Sequence, residues 1–284
     1  MLANYHTHTR YSDGKMEPRE HITSAIEKGF AHLGFSEHSP VSFDNNYSLK
    51  YDDAKPYFAL LDSLKKEYIS QIGIYKALEG EYITGISENF HKLKADYGLD
   101  YIIGSVHLVR PEHSEELWFI DGSKQETYDG GLLQLFGNDI KKAVTTYFYQ
   151  VNRMIENEKI DIIGHFDKIK MHNRDRYFSE NDGWYKSLIS ETLELIKSKN
   201  IIIEVNTRGL YKKRSQSTYP GADVLKEIKA LKLPVMLNSD AHHPDELDGY
   251  FQPILQLLKN TGFKELTIFD DTQGFYAIDI EKFV

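Results

Sequence analysis

Leu2-Ala3-Asn4-Tyr5-His6-Thr7-His8-Thr9 passes from a short apolar run directly into two histidines one residue apart. In an extended strand successive side chains alternate faces, so His6 and His8 project from the same side at the strand's carboxyl end. Two imidazoles so placed form half of a metal site. A His-x-His pair taken alone is equally compatible with a surface position, and the rest of the chain decides between the two. Asp13, His38, Glu79, Glu81, His107, His165, Asp240 and His242 each fall at or just past the end of a separate apolar run.

Runs of strand length occupy residues 2–5, 32–35, 72–78, 101–106, 160–164, 201–205 and 234–237. Residues 18–28, 51–70, 138–157, 184–199 and 222–231 carry apolar side chains at three- and four-residue spacing, which predicts helices between the strands. Pro18 and Pro220 stand near helix starts, where a missing N–H does no harm. The alternation predicts repeated βα units around a mostly parallel sheet. A chain of 284 residues without a Pro-, Gly- or Ser-rich linker fits one α/β barrel over residues 1–284. In such folds ligands bind where the carboxyl ends of the strands gather their loops. His6 and His8, Glu37 and His38, Glu79 and Glu81, Ser105 and His107, His165, Asn206 and Arg208, and Asp240 and His242 would then share one rim.

Composition narrows the chemistry. With 43 acidic against 34 basic residues the formal charge is -9, which argues against a general nucleic-acid binder. With no cysteine there is neither a disulfide nor a thiolate ligand, so imidazole and carboxylate must hold any metal. That donor set suits zinc, manganese, iron or magnesium. No apolar run approaches the length of a membrane span and Met1 leads into no signal-like segment, so a soluble, cytoplasmic protein is expected.

Two connections are longer than a turn requires. Residues 108–138 hold Trp118, Phe119, Asp121 and a Gly130-Gly131 pair with little periodicity, and read as a flap over the rim. Residues 207–221 place Arg208, Lys212, Lys213 and Arg214 after the sixth strand, a cationic loop suited to an anion such as phosphate. His21, His32, His91, His113 and His172 lie away from the strand ends and read as structural or surface residues. His243 is expected to point away from the site, since extended neighbours face opposite sides.

The ordered set His6-Thr7-His8-Thr9, Phe35-Ser36-Glu37-His38-Ser39-Pro40, Leu78-Glu79 with Glu81-Tyr82, and Gly104-Ser105-Val106-His107 resembles the PHP superfamily, named for polymerase and histidinol phosphatase. The likeness continues through Gly164-His165-Phe166-Asp167, Glu204-Val205-Asn206-Thr207, Tyr219-Pro220 and Ser239-Asp240-Ala241-His242, and so covers essentially the whole chain. Within the superfamily it is most similar to the monofunctional histidinol-phosphate phosphatases.

This resemblance implies a distorted (β/α)7 barrel with three divalent metal ions, hydrolysing L-histidinol phosphate to L-histidinol and phosphate in histidine biosynthesis. One ion would take His6, His8, Glu79 and Asp240, a second His107 and His165 with Glu79 bridging, and a third Asp13, His38 and His242. Glu81, two residues on and on the same face, rivals Glu79 as the bridge. Ser12-Asp13-Gly14 departs from those phosphatases, which often carry a histidine one residue further along; aspartate remains a competent oxygen ligand.

The expected chemistry is attack of a metal-bridging hydroxide on phosphorus, without a covalent intermediate. Asp13, Asp240 and His242 make the expected catalytic set, with Asp13, His242 or Asp167 protonating the leaving alcohol. Arg208 and then Lys212 are the expected phosphate contacts, with Ser105 and Trp118 as further substrate contacts, and Trp118, Phe119 and Asp121 are expected to meet the imidazole and ammonium of histidinol. The substrate class is a small phosphate monoester, alternatively a nucleotide or another small phosphorylated metabolite. A metal-dependent amidohydrolase or a non-catalytic metal-binding module are the remaining readings.

Overall fold

The computed structural model describes residues 1–112 and 114–283, so His113 and Val284 lie outside the described residues. The chain runs β1 (Leu2–Asn4), α1 (Pro18–Glu27), β2 (Phe30–His38), α2 (Tyr51–Glu67), β3 (Gly73–Glu81), α3 (Phe90–Tyr97), β4 (Tyr101–Ser105), β5 (Leu108–Val109), β6 (Trp118–Phe119), α4 (Gln125–Phe136), α5 (Ile140–Asn157), β7 (Ile162–Ile163), α6 (Gly183–Lys199), β8 (Ile202–Asn206), α7 (Arg208–Tyr211), α8 (Ala222–Ala230), β9 (Val235–Asn238), α9 (Phe251–Thr261), β10 (Glu265–Asp270) and β11 (Gly274–Asp279). Seven strands form one parallel sheet in the order β1-β2-β3-β4-β7-β8-β9. They correspond to the seven runs read from sequence.

The sheet closes on itself at the rim. His8 N donates to Ala241 O at 2.8 Å and Ala241 N to His6 O at 3.1 Å, a parallel bridge made just beyond the ends of β1 and β9. Behind that bridge, side chains replace the ladder: Asn238 Oδ1 accepts from Tyr5 N at 2.8 Å, and Asn4 Nδ2 donates to Ser239 Oγ at 2.7 Å. These amides satisfy backbone and side-chain groups that the incomplete ladder leaves open. The result is a distorted (β/α)7 barrel.

β2 and β3 run further than their apolar residues predict, so Glu37, His38, Glu79 and Glu81 stand on strands rather than after them. Register is kept to the end, with Glu37 beside Leu78 and His38 beside Glu79. The polar side chains there satisfy one another, so they do not end the strand. β7 is shorter than expected, and Gly164 and His165 follow it, His165 with φ 21°.

The covering helices bury one face each. In α5, Ala143, Val144, Tyr147, Val151 and Met154 recur at helical spacing and are buried, and Asp139 caps the first turn by accepting from Lys142 N. The described residues of the segment read as a flap carry regular structure: β5 and β6 pair antiparallel and α4 follows.

The antiparallel pair β10–β11 covers the amino-terminal end of the barrel. Tyr5 Oη donates to Phe269 O at 2.7 Å and accepts from Phe269 N at 2.9 Å. Tyr75 and Tyr101, near the starts of β3 and β4, pack against Phe269 with ring centroids 5.2 and 5.8 Å apart. None of the described helices is long and apolar enough to cross a membrane.

Candidate metal centre

At the carboxyl rim the strand-end residues converge around Glu79. Its Oε2 lies 3.3 Å from His6 Nε2, 3.4 Å from His8 Nε2 and 3.0 Å from His38 Nδ1. Its Oε1 lies 2.8 Å from His165 Nε2 and 3.3 Å from His107 Nε2. One carboxylate therefore stands between two imidazole groups. Asp240 Oδ1 completes the first, 3.4 Å from His8 Nε2 and 3.8 Å from His6 Nε2. A third group lies nearer the solvent: Asp13 Oδ1 is 3.0 Å from His242 Nε2, 3.5 Å from His38 Nε2 and 4.0 Å from His8 Nδ1.

These spacings suit a shared cation. Tetrahedral nitrogen ligands at roughly 2.0–2.1 Å from zinc lie about 3.3 Å from one another, close to the 3.1 Å between His6 Nε2 and His8 Nε2 and the 3.3 Å between His107 Nε2 and His165 Nε2. His38 Nδ1 is buried without a hydrogen bond of acceptable geometry, although Glu79 Oε2 is 3.0 Å away. Lone pairs that converge in this way could share a positive centre placed between them. The donors are nitrogen and oxygen only, and they fit divalent zinc, manganese or iron.

A second layer of carboxylates orients the rings. Glu204 Oε1 lies 2.6 Å from His6 Nδ1, and Glu81 Oε2 lies 2.6 Å from His107 Nδ1. With its Nδ1 held as the donor, each ring turns its Nε2 lone pair inward. Glu81 therefore serves His107, and Glu79 has the central position. Glu37 accepts from Thr9 Oγ1, Ser12 Oγ and Tyr57 Oη, fixing the turn that carries Asp13.

The electrostatics follow from this packing. Burial opposes charge on His6, yet Glu204, Glu79 and Asp240 hold its pKa well above the ordinary value. Burial likewise opposes ionisation of Glu79 and Asp240, but His6 foremost, joined by His107 and His38 at Glu79 and by Arg208 and His8 at Asp240, keeps both well below the usual carboxylate range. His8 is pushed down by burial and by the neighbouring His242 and His38. Buried carboxylates kept ionised in this way are paired or bind metal.

The centre forms part of the wall of a cavity of about 200 Å³. Asp13, His38, His107, Asp240 and His242 contribute the ligand side, while Lys168, Arg208 and Arg214 bring positive charge. Arg208 Nη1 donates to Asp240 O at 2.7 Å, and Lys168 Nζ lies 2.7 Å from Asp121 Oδ2.

Not every expected residue faces this space. Trp118 is buried in the hydrophobic core, its Nε1 donating to Tyr128 O at 3.0 Å, so its ring packs under the hairpin and away from the cavity. Lys212 pairs with Glu246 at 2.5 Å outside the cavity. Lys213, at φ 57°, reverses the chain direction after it, so Arg214 is the one of the pair that lines the wall. Ser105 Oγ is buried against the backbone of Gly164, off the lining. Asp167 is paired with Lys170 Nζ at 2.7 Å and accepts from Gly221 N, so it is not placed to meet a leaving group. Among the described residues, His21, His32, His91, His172 and His243 stand outside the three ligand groups. Lys168 was not singled out from sequence, although it follows His165 in the loop after the fifth strand.

Residues 4–208 match the PHP domain family. The histidinol-phosphatase of Bacillus subtilis is 26% identical over 84% of this chain and 91% of its own length. Among solved structures, histidinol phosphate phosphatase from Lactococcus lactis, complexed with zinc, L-histidinol and phosphate, has a TM-score of 0.66 at 23% identity, covering 95% of this chain and 97% of that one. A structure from Listeria monocytogenes has a TM-score of 0.77 at 23% identity, covering 88% of this chain and 99% of that one. These likenesses establish a shared fold, and the family match spans well over half of the 284 residues. With its ligand-bearing strand ends arranged around one rim and that match along most of its length, the chain belongs to the PHP domain family.

Proposed function

We propose that this protein is a metal-dependent phosphatase that hydrolyses L-histidinol phosphate to L-histidinol and phosphate. The observation that carries the reading is the cavity itself, where a carboxylate and imidazole cluster shares the wall with Arg208, Arg214 and Lys168. A doubly charged phosphoryl group fits between divalent ions and such cations. Relatives that match over nearly their whole length are named histidinol-phosphatase, and one solved structure of similar fold is complexed with histidinol and phosphate.

His6, His8, Glu79 and Asp240 would hold one divalent ion, and Glu79, His107 and His165 a second. Asp13, His38 and His242 would hold a third in the most exposed group. Bound there, such ions would favour ionisation of a water near pH 7 to serve as the nucleophile and would neutralise charge on the phosphoryl oxygens. The unaided reaction is extremely slow, because an anionic phosphorus repels nucleophiles and an alkoxide leaves poorly.

The chain's own groups do the rest. Arg208, fixed through Asp240 O, presents a planar guanidinium that matches two phosphoryl oxygens. Arg214 and Lys168 add charge in a confined space where few waters compete. When the third group holds no ion, Asp13 and His242, on the cavity wall and 3.0 Å apart, are the pair placed to move a proton at the leaving oxygen.

Elemental analysis of the purified protein, with phosphate release from histidinol phosphate measured before and after chelation, tests this reading. Bound divalent metal with chelator-sensitive release is expected. Metal-free protein with undiminished activity would overturn it, and equal turnover of a generic aryl phosphate would remove the substrate assignment.

A further inference from the structure

Asp167 and Lys170 are buried and belong to no ligand group, yet they join two of the loops that build the cavity. Lys168–Lys170 is a single 3-10 turn following His165. Its backbone bonds run from Lys168 N to His165 O at 2.9 Å and from Lys170 N to Asp167 O at 3.2 Å. Side chains three apart stand over one another in such a turn, and the four polar ones separate into two pairs. His165 Nε2 lies 2.8 Å from Glu79 Oε1 and Lys168 Nζ 2.7 Å from Asp121 Oδ2, both toward the metal centre. Asp167 Oδ2 and Lys170 Nζ lie 2.7 Å apart, on the side of the loop that follows β8.

That second pair grips the β8 loop at its foot. Gly221 N donates to Asp167 Oδ2 at 3.1 Å, and Lys170 Nζ stands 5.9 Å from the centroid of the Tyr219 ring. Tyr219 and Asn206 exchange backbone hydrogen bonds at 2.8 and 3.1 Å, closing the base of residues 207–218. Within that loop Arg208 N donates to Asn206 Oδ1 at 2.9 Å, and Arg214 N to Gly209 O at 2.8 Å. The two cavity arginines are therefore built on backbone whose return limb, Tyr219 to Gly221, is held by Asp167 and Lys170.

As a stabiliser the pair is poorly arranged. Taking two charges out of water costs about as much as their attraction returns. Asp167 Oδ1 is sealed from solvent without a hydrogen bond, which costs more. Glu180 reaches Lys170 Nζ at 3.1 Å but leaves that oxygen unmet. What the pair does supply is a fixed distance between two loops.

We infer that Asp167 and Lys170 are positioning residues for phosphate capture, a buried strut that sets Arg208 and Arg214, on the loop after β8, against His165 and Lys168, on the turn after β7. Neither touches the substrate. The inference rests on the phosphatase reading for what the cations grip, while the strut itself is carried by the contacts between the two loops. Freed from it, the β8 loop keeps its own internal bonds but loses its tie to the neighbouring stave, and the arginines no longer meet the phosphoryl oxygens at a set distance from the ions.

The test uses the metal-loaded full chain with Asp167→Ala and Asp167→Asn, each checked for wild-type metal content. Amide hydrogen exchange followed by mass spectrometry reads the strut without turnover. Peptides covering residues 207–221 should exchange about fivefold or more faster in Asp167→Ala, while those of α5 stay within about twofold of the wild type. Acceleration shared equally by α5, or none in the loop, overturns the inference. Calorimetric binding of inorganic phosphate should weaken about tenfold, and KM for histidinol phosphate should rise by a similar factor with kcat changed less than about threefold. A fall in kcat with KM and phosphate affinity unaltered overturns the positioning role. Asp167→Asn keeps an oxygen for Gly221 N and should fall between the wild type and Asp167→Ala on both readings. Should the alanine variant fail to fold, wild-type exchange and phosphate affinity in Asp167→Asn overturn the inference by themselves. Wild-type protein that neither binds phosphate nor releases it from histidinol phosphate would remove the phosphatase reading and with it the phosphate role, whereas loop exchange decides the strut on its own.

Discussion

Glu204 Oε1 lies 2.6 Å from His6 Nδ1, and the other oxygen of the same carboxylate accepts from the backbone N–H of His165 at 3.0 Å. A single buried side chain on β8 thus sets the orientation of one ring just past the first strand and the backbone of another after the fifth.

Replacing Glu204 with Gln is expected to weaken metal binding by about 10–100-fold, the usual effect of losing a carboxylate behind a ligand histidine. Chelator competition monitored by elemental analysis measures it. Glu81→Gln should act similarly through His107, whereas Glu79→Gln should cost more than one ion, because both of its oxygens face imidazoles.

Arg208 and Lys212 should separate cleanly. Arg208→Ala removes a cavity cation and frees Asp240 O, so kcat/KM for the phosphate monoester is expected to fall by about a hundredfold or more, within the range for losing a buried charged partner. Lys212→Ala breaks only the partly exposed pair with Glu246 and should change kcat/KM less than about twofold, as exposed pairs contribute little. Steady-state kinetics on both variants decide the matter.

The adjacent glycines of α4 make opposite predictions. A Cβ at Gly130 meets nothing within 4 Å, so Gly130→Ala should stabilise by about 0.5–1 kcal/mol through helix propensity. A Cβ at Gly131 falls 2.2 Å from Trp118 Cδ1, so Gly131→Ala must displace the tryptophan that anchors β6. It should destabilise by about 1–3 kcal/mol, as overpacking does. Denaturant melts compare the two.

His21, which stands outside the three ligand groups, supplies a pH dependence of its own. Burial drives its pKa down to about 4, and its Nε2 has no partner. The unfolded chain binds a proton here at about pH 6.5, where the folded chain does not. The stabilisation from a neutral His21 is therefore full above that value and is lost as pH falls toward 4, amounting to a few kcal/mol by linkage. His21→Phe should flatten the fall in melting temperature between pH 7.5 and 5 relative to the wild type, both measured after chelation.

Much of the centre was legible because parallel strands must end, and polar residues directly after an apolar run have few other places to go. His6, His8, His38, Glu79, His107, His165, Asp240 and His242 are all brought together on that logic. Finer choices depend on facts that periodicity does not carry. Glu79 and Glu81 share a face, and only the depth of each along β3 separates the central carboxylate from the one behind His107. Within β6, two residues long, nothing in the sequence says which aromatic turns inward. Lys168 opens a single 3-10 turn after His165 that no periodicity announces, and Arg214 takes the cavity position through a left-handed residue at Lys213. The β10–β11 hairpin also went unread, since its job is to cover the far end of the barrel and it supplies no ligand.

The bridge between His8 and Ala241 joins segments separated by nearly the whole length of the polypeptide. His6 and Asp240 meet only once that seam is shut, so a nascent chain cannot assemble its innermost cation nest until the ninth strand has been made. An ion held there would act as a late rivet, binding the earliest-synthesised strand to the last of the barrel staves. The contacts that make catalysis possible are therefore also among the last that folding can reach.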